Sequence, residues 1–212
     1  MTRLGTLAAP SMNRWLLRPQ VKSLLFVAAA GPAAALVWGA VHGTLGANPA
    51  EALIRNTGDW TLRMLWATLA VTPLRQATGW HALARWRRTL GLYTFFYAVL
   101  HAAAYAWLDM GLQVADIVRD IAKRPFILVG ATSLLLLIPL AATSWDRAVR
   151  TLGAARWKAL HRTVYTIALL ALLHFLWMRS SKGDVAEVGV YAAILAMLYG
   201  WRLRDHLRTR PA

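Results

Sequence analysis

Residues 90–110 read LGLYTFFYAVLHAAAYAWLDM, an apolar run whose only ionisable groups before Asp109 are tyrosine hydroxyls and one imidazole, His101. Residues 160–178 read LHRTVYTIALLALLHFLWM, which carries His174 deep in an equally apolar stretch. A helix that crosses a bilayer takes roughly 20 mostly apolar residues, so both runs read as membrane spans. Four more segments have the same character, at 22–42, 58–74, 126–143 and 186–203; the second is short and contains Arg63. The 212 residues, 58% apolar, therefore predict an all-α integral membrane protein. The expected architecture is a six-transmembrane-helix bundle forming one domain over 1–212, with no room for a separate soluble catalytic domain. The apolar run Ser23–Val41 exceeds the roughly 7–15 residues of a signal-peptide core, and five spans follow it, so span one reads as a retained anchor.

A formal charge of +15 invites a nucleic-acid reading, but its placement argues against one. Arg3, Arg14, Arg18 and Lys22 precede span one, and Arg75, Arg85, Arg87 and Arg88 separate spans two and three. Arg147, Arg150, Arg156, Lys158 and Arg162 lie around the start of span five, and Arg202, Arg204, Arg208 and Arg210 close the chain. The intervening loops hold only Arg55, Arg119, Lys123, Arg124, Arg179 and Lys182. This alternation is the positive-inside pattern and predicts that both termini are cytoplasmic. Most of the eleven tryptophans fall near span ends, as aromatic belts do. All nine acidic residues, Glu51, Asp59, Asp109, Asp116, Asp120, Asp146, Asp184, Glu187 and Asp205, fall in loops or at span ends, which weakens an ion- or proton-carrier reading. The absence of cysteine excludes iron–sulfur clusters, disulfides and covalent haem attachment.

The stretch 111–123 sets Leu112, Val114, Ile117, Val118 and Ile121 near helical spacing with charges between them, which predicts a short helix on the outer membrane surface. Pro125 suits the first turn of span four. Pro32 and Pro139 fall inside spans, where proline kinks a helix.

The histidines are the candidate functional residues. A polar ring held at membrane depth is costly and usually functional. Counted outward from Arg88, His101 lies 13 residues along its span, about 20 Å at helical rise. His174 lies 16 residues outward from Lys158, so the two rings share a level. Ala98, Ala102, Ala104 and Ala171 leave space beside them. Neutral imidazole is a haem ligand, and the pair predicts a b-type haem clasped between spans three and five. The competing reading is a pair of interhelical hydrogen bonds. His161 starts span five, 13 residues before His174, a step that turns an ideal helix by about 220°. It stands as a candidate for a second haem or a quinone or flavin site, against a plain interfacial reading. His42, His81 and His206 read as interfacial or solvated. Arg63 is a candidate haem-propionate contact or a snorkelling headgroup contact.

Several ordered motifs resemble a known family. These are Arg87-Arg88-Thr89-Leu90-Gly91-Leu92-Tyr93 through Phe96 and Ala98 to Leu100-His101, then Lys123-Arg124-Pro125-Phe126-Ile127 with Gly130. Leu152-Gly153 with Trp157 and Leu160-His161 follows, continuing through Val164-Tyr165 to His174-Phe175-Leu176-Trp177. Arg63 with Thr68-Leu69 and Thr72-Pro73-Leu74 adds a weaker match. Together they resemble the MsrQ (YedZ) family, haem-binding membrane subunits of the bacterial periplasmic methionine-sulfoxide reductase system, over about 57–178.

The resemblance implies a ferric-reductase-like six-helix cytochrome b of the bacterial inner membrane, without its own flavin/nicotinamide domain. It implies haem b, one or two, with His101, His161 and His174 as the important histidines and His101 and His174 as axial ligands. It also implies electrons from the quinone pool, with FMN and a cytosolic flavin reductase as further candidates. The acceptor it implies is a periplasmic molybdopterin methionine-sulfoxide reductase, on which the terminal reduction takes place. Two other classes compete: a stand-alone transmembrane ferric or quinone reductase, and a non-redox membrane scaffold or carrier.

Overall fold

A computed structural model describes residues 9–180, 183 and 185–208, and the described residues contain helices and turns but no strand. Arg3, Lys182, Asp184 and Arg210 of the charge pattern lie outside them. The helices are α1 (Ala9–Leu16), α2 (Pro19–Val41), α3 (Pro49–Thr78), α4 (Trp86–Ala104), α5 (Val114–Lys123), α6 (Pro125–Ala142), α7 (Asp146–Leu152), α8 (Ala154–His161), α9 (Val164–Ser180) and α10 (Ala186–Arg208). A 3₁₀ turn, His81–Arg85, leads into α4, and a π-helical turn, Tyr105–Asp109, continues it.

Three segments are long and apolar enough to cross a bilayer by length and composition: Pro19–Val41, Pro125–Ala142 and Ala154–Ser180. Leu24, Val27 and Val37 of α2, Leu135 of α6 and Met197 of α10 stand exposed, an apolar surface suited to hydrocarbon.

The helix ends show how the helices extend beyond or divide the expected spans. The second, expected at 58–74, belongs to a much longer helix. Asn48 Oδ1 accepts the Glu51 N–H at 3.1 Å, and Pro49 occupies the first turn, so α3 begins nine residues earlier. It ends at Gly79, whose φ of 71° is the left-handed cap glycine tolerates best. Pro125 opens α6, as expected. The 111–123 segment forms α5 from Val114, after a turn in which Gly111 and Leu112 both take positive φ. Asp120 fastens α5 in place: it accepts from Tyr105 Oη at 2.6 Å and from Arg124 Nε at 2.5 Å.

The fifth span is interrupted. α8 ends at His161, Arg162 and Thr163 form a turn, and α9 starts at Val164. Thr163 stabilises the break by donating its hydroxyl to the Leu160 carbonyl at 2.8 Å. The 220° rotation expected between His161 and His174 therefore does not apply.

Helix α3 runs along α4, α6 along α9, and α4 meets α6, while α10 closes over α3 and α9. Leu62, Leu65, Leu69, Ile167, Ala168 and Leu195 form the core among α3, α9 and α10. A second core joins α1, α2, α3 and α4 through Leu16, Val21, Met64, Tyr93 and Tyr97. Tyr93 donates to the Phe26 carbonyl at 2.8 Å. The Tyr97 hydroxyl, fully buried, donates to the Ala29 carbonyl at 2.8 Å and accepts the Ala33 N–H at 3.1 Å. Ala29 and Ala33 are the two ends of one helical hydrogen-bond step, beside Pro32, so a side chain is inserted into the α2 ladder there.

Candidate functional site

His101 on α4 and His174 on α9 come together with ring centroids 6.1 Å apart and planes at 79°. Each is oriented by a neighbouring helix in the same manner. His101 Nδ1–H donates to the Ile54 carbonyl of α3 at 2.8 Å, and His174 Nδ1–H donates to the Phe126 carbonyl of α6 at 2.6 Å. A carbonyl only accepts, so both protons sit on Nδ1 and both Nε2 lone pairs are left for a ligand. One helical turn beyond each acceptor stands a glycine. A Cβ at Gly58 would lie 3.1 Å from His101 Nδ1, and one at Gly130 would lie 2.9 Å from His174 Nδ1.

The separation fits a shared metal. Two imidazole–metal bonds of about 2 Å, plus about 1 Å from each nitrogen to its ring centroid, span about 6 Å. Among the described residues no group of three or more His, Asp or Glu could hold a metal ion. Two imidazoles are too few for a bare ion, which takes about four donors, whereas a porphyrin brings four nitrogens of its own. The donor set thus suits haem.

His161 lies elsewhere, on α8. Its ring stacks on Trp157 at 4.0 Å between centroids, and its Nε2 is 3.0 Å from Thr143 Oγ1. The single Thr143 hydroxyl proton goes to the Pro139 carbonyl at 2.7 Å, so His161 Nε2–H donates to Thr143. Nδ1 is the nitrogen left open, the reverse of the other two histidines. Trp157 Nε1–H donates to the Thr143 carbonyl at 2.9 Å, which holds α8 against the end of α6.

His161 lines a cavity of about 640 Å³ shared by Trp157, Arg87, Arg88, Tyr165 and Arg202. It is a basic, aromatic chamber between α3, α4, α6 and α9, and neither His101 nor His174 lines it. Arg202, which reads from sequence as part of the basic tail, is a site residue. Its guanidinium hydrogen-bonds the Tyr165 hydroxyl, donates to the Leu69 carbonyl at 2.8 Å and lies 4.7 Å above the Tyr165 ring. Only its position six residues before the end of α10 hinted at burial.

Arg63 turns to Tyr191 of α10 and to Trp60. It is exposed, its Nε donates to the Tyr191 hydroxyl at 3.2 Å, and its guanidinium lies 5.0 Å over Trp60. Arg179, which reads as a loop charge, is buried instead: it bonds Glu187 at 2.8 Å and faces Asp59 at 3.8 Å. This cluster ties α3, α9 and α10 together next to Gly58.

A family model described as ferric reductase like transmembrane component matches residues 57–172. A protein-methionine-sulfoxide reductase heme-binding subunit MsrQ from Polaromonas naphthalenivorans is 58% identical over 194 residues, 92% of this chain and 89% of its own length. The chain belongs to the MsrQ family. Other MsrQ heme-binding subunits agree. That of Azospira oryzae is 48% identical over 188 residues, 89% of this chain and 80% of its own. That of Bordetella pertussis is 47% identical over 205 residues, 97% of this chain and 98% of its own. No solved structure matches the chain. With a ferric-reductase-like transmembrane domain and three strongly apolar helical segments, this MsrQ-family chain is a membrane protein.

Proposed function

We propose that the chain is a b-type haem subunit of the bacterial inner membrane. It relays electrons from the quinone pool to a periplasmic molybdopterin methionine-sulfoxide reductase that repairs oxidised proteins. One domain over 1–212 crosses the bilayer six times, through α2, α3, α4, α6, α9 and α10, with both termini cytoplasmic. The observation that carries the reading is the His101–His174 pair, with a metal-sized separation and both Nε2 atoms left open by backbone acceptors. MsrQ relatives named as heme-binding subunits support it.

Haem bound there supplies a one-electron carrier. His101 and His174 would both hold the haem through Nε2, leaving no protein-free side for activating a small molecule, so the chain would conduct electrons without performing the terminal reaction. The cavity beside His161 is the donor end. Its volume and largely apolar lining, with Trp145, Trp157 and Tyr165, would accept a flat ring, and its arginines favour an anionic or electron-rich head group. Quinol fits, and FMN, served by a cytosolic flavin reductase, is the second candidate. Oxidation of quinol releases two electrons and two protons; His161 Nδ1 would take the protons one at a time, passing the first to water before accepting the second. Sulfoxide reduction consumes two electrons and two protons and releases water, all on the partner. The same cavity favours a donor site at His161 over a second haem, because the opposing wall offers arginines in place of an imidazole.

The test is a visible spectrum of the purified protein with its haem-to-protein ratio. A b-type absorbance at one haem per chain, lost in His101→Ala and in His174→Ala, is the expected result. A folded, colourless preparation rejects the reading in favour of a scaffold. Acceptor reduction that proceeds without the periplasmic partner favours a stand-alone reductase.

A further inference from the structure

We propose that Gly58 and Gly130 are positioning residues. Each opens the side of a helix so that a histidine can reach the backbone carbonyl one turn earlier and present Nε2 to iron. The inference rests on the haem reading above. A helical carbonyl at residue i is directed at the N–H of residue i+4, and its second lone pair is reachable only from the side. A side chain at i+4 crowds that approach. Here the approach is open twice, with the same spacing on two different helices. Ile54 and Gly58 on α3 receive His101 of α4, and Phe126 and Gly130 on α6 receive His174 of α9.

Among the described glycines, Gly58 and Gly130 are the two that abut an imidazole; Gly39 is as tight, but its neighbour is the flexible Leu45 side chain at 2.7 Å. A Cβ at Gly91 would meet Thr68 at an ordinary 3.8 Å, and one at Gly31 or Gly200 would meet nothing within 4 Å. At Gly58 and Gly130 it would press on the imidazole atoms themselves, Nδ1 and Cε1, which leaves no bond of the ring free to rotate away without losing the carbonyl. Glycine is among the poorest helix formers, so its use at two mid-helix positions that both abut a histidine ring has a physical reason. The choice of acceptor matters as well. A carbonyl cannot take the Nδ1 proton, so the ligand stays a neutral imidazole while the hydrogen bond still raises its basicity toward the metal.

Adding a methyl group at either glycine weakens that hydrogen bond, makes Nε2 a poorer donor and disfavours the ferric state. Gly58→Ala and Gly130→Ala are expected to lower haem affinity about tenfold. In the haem that remains, the reduction potential rises, by up to about 59 mV for a tenfold change in the ferric-to-ferrous preference of a one-electron couple. The low-spin ferric EPR g-values move as well. Gly31→Ala and Gly200→Ala serve as controls and keep the wild-type values. Pulsed EPR of the unmodified protein with ¹⁵N-histidine adds a readout that needs no variant: both ligands show an exchangeable, hydrogen-bonded Nδ1 proton. Wild-type g-values, potential and haem retention in both alanine variants overturn the proposal while leaving the haem reading intact. So does a ligand lacking the Nδ1 proton. A haem-free wild type instead overturns the reading on which it rests.

Discussion

Replacing Tyr97 by Phe removes one oxygen from a fully buried position and deprives two backbone groups of a partner at once. The Ala29 carbonyl loses a donor at 2.8 Å, and the Ala33 N–H loses an acceptor at 3.1 Å. An unsatisfied buried polar group costs about 1–3 kcal/mol. The lower limit applies if the α2 ladder closes, with the Ala33 N–H swinging onto Ala29 O; Pro32, which cannot donate, hampers that closure. A loss of about 2–3 kcal/mol is therefore expected. Tyr93→Phe provides the internal comparison. Its hydroxyl serves one carbonyl, that of Phe26 at 2.8 Å, which keeps its second lone pair for the helix, so about 1 kcal/mol is expected. For a chain of this size 1 kcal/mol moves the unfolding midpoint by about 2–4 °C. Thermal unfolding in detergent should then lower the midpoint by about 4–12 °C for Tyr97→Phe and clearly less for Tyr93→Phe. Equal midpoints for the two variants, or a Tyr97→Phe midpoint within 1 °C of wild type, would refute the inserted-hydroxyl account.

Thr143→Ala removes the group that orients His161 and frees the ring to turn on Trp157. Reduction by quinol should slow by about 10-fold or more, the scale of losing an orienting hydrogen bond, with the haem spectrum unchanged; an unaltered rate contradicts the donor-site assignment. The seat of α5 is pH-dependent. Burial pushes the Asp120 carboxyl upward, but hydrogen bonds from Arg124 and Tyr105 outweigh it and hold the group below its ordinary value of 3.8. A depressed carboxyl stabilises the folded state above its unfolded pKa and loses that contribution as pH falls through the folded one. Hydrogen-exchange protection in 114–123, corrected for the intrinsic pH dependence of amide exchange, should accordingly hold from neutral pH down to about 4 and fall in more acid solution, and Asp120→Asn should abolish the fall. A flat pH profile in the wild type counts against the clamp.

Charge and length carried much of the fold. Arg88 and Lys158 mark where two spans begin, and counting from them placed His101 and His174 at one level without any knowledge of packing. What escaped was direction. Every residue has a carbonyl, so no pattern singles out Ile54 or Phe126 as acceptors. Gly58 and Gly130 were visible as glycines, but the ring pressed against each comes from another helix 43 or 44 residues away. Arg63 attracted attention because it interrupts an apolar run, yet Tyr191, brought in from α10, decides where it turns. Arg202 was hidden in the opposite way, as one cation of a basic tail whose burial depends on Tyr165 and Leu69. The turn at Arg162–Thr163 lies in the polar triplet His161-Arg162-Thr163, which from sequence reads equally well as the edge of a continuous span.

That turn gives the chain a mechanical joint. In an unbroken helix, inserting one residue before His174 would swing its imidazole by about 100°, and any retuning at the inner end would be felt at the outer one. Because a two-residue turn separates α8 from α9, a shift of α8 can be taken up there instead of being screwed along the rod. A change around His161 therefore need not disturb the hydrogen bonds that aim His101 and His174.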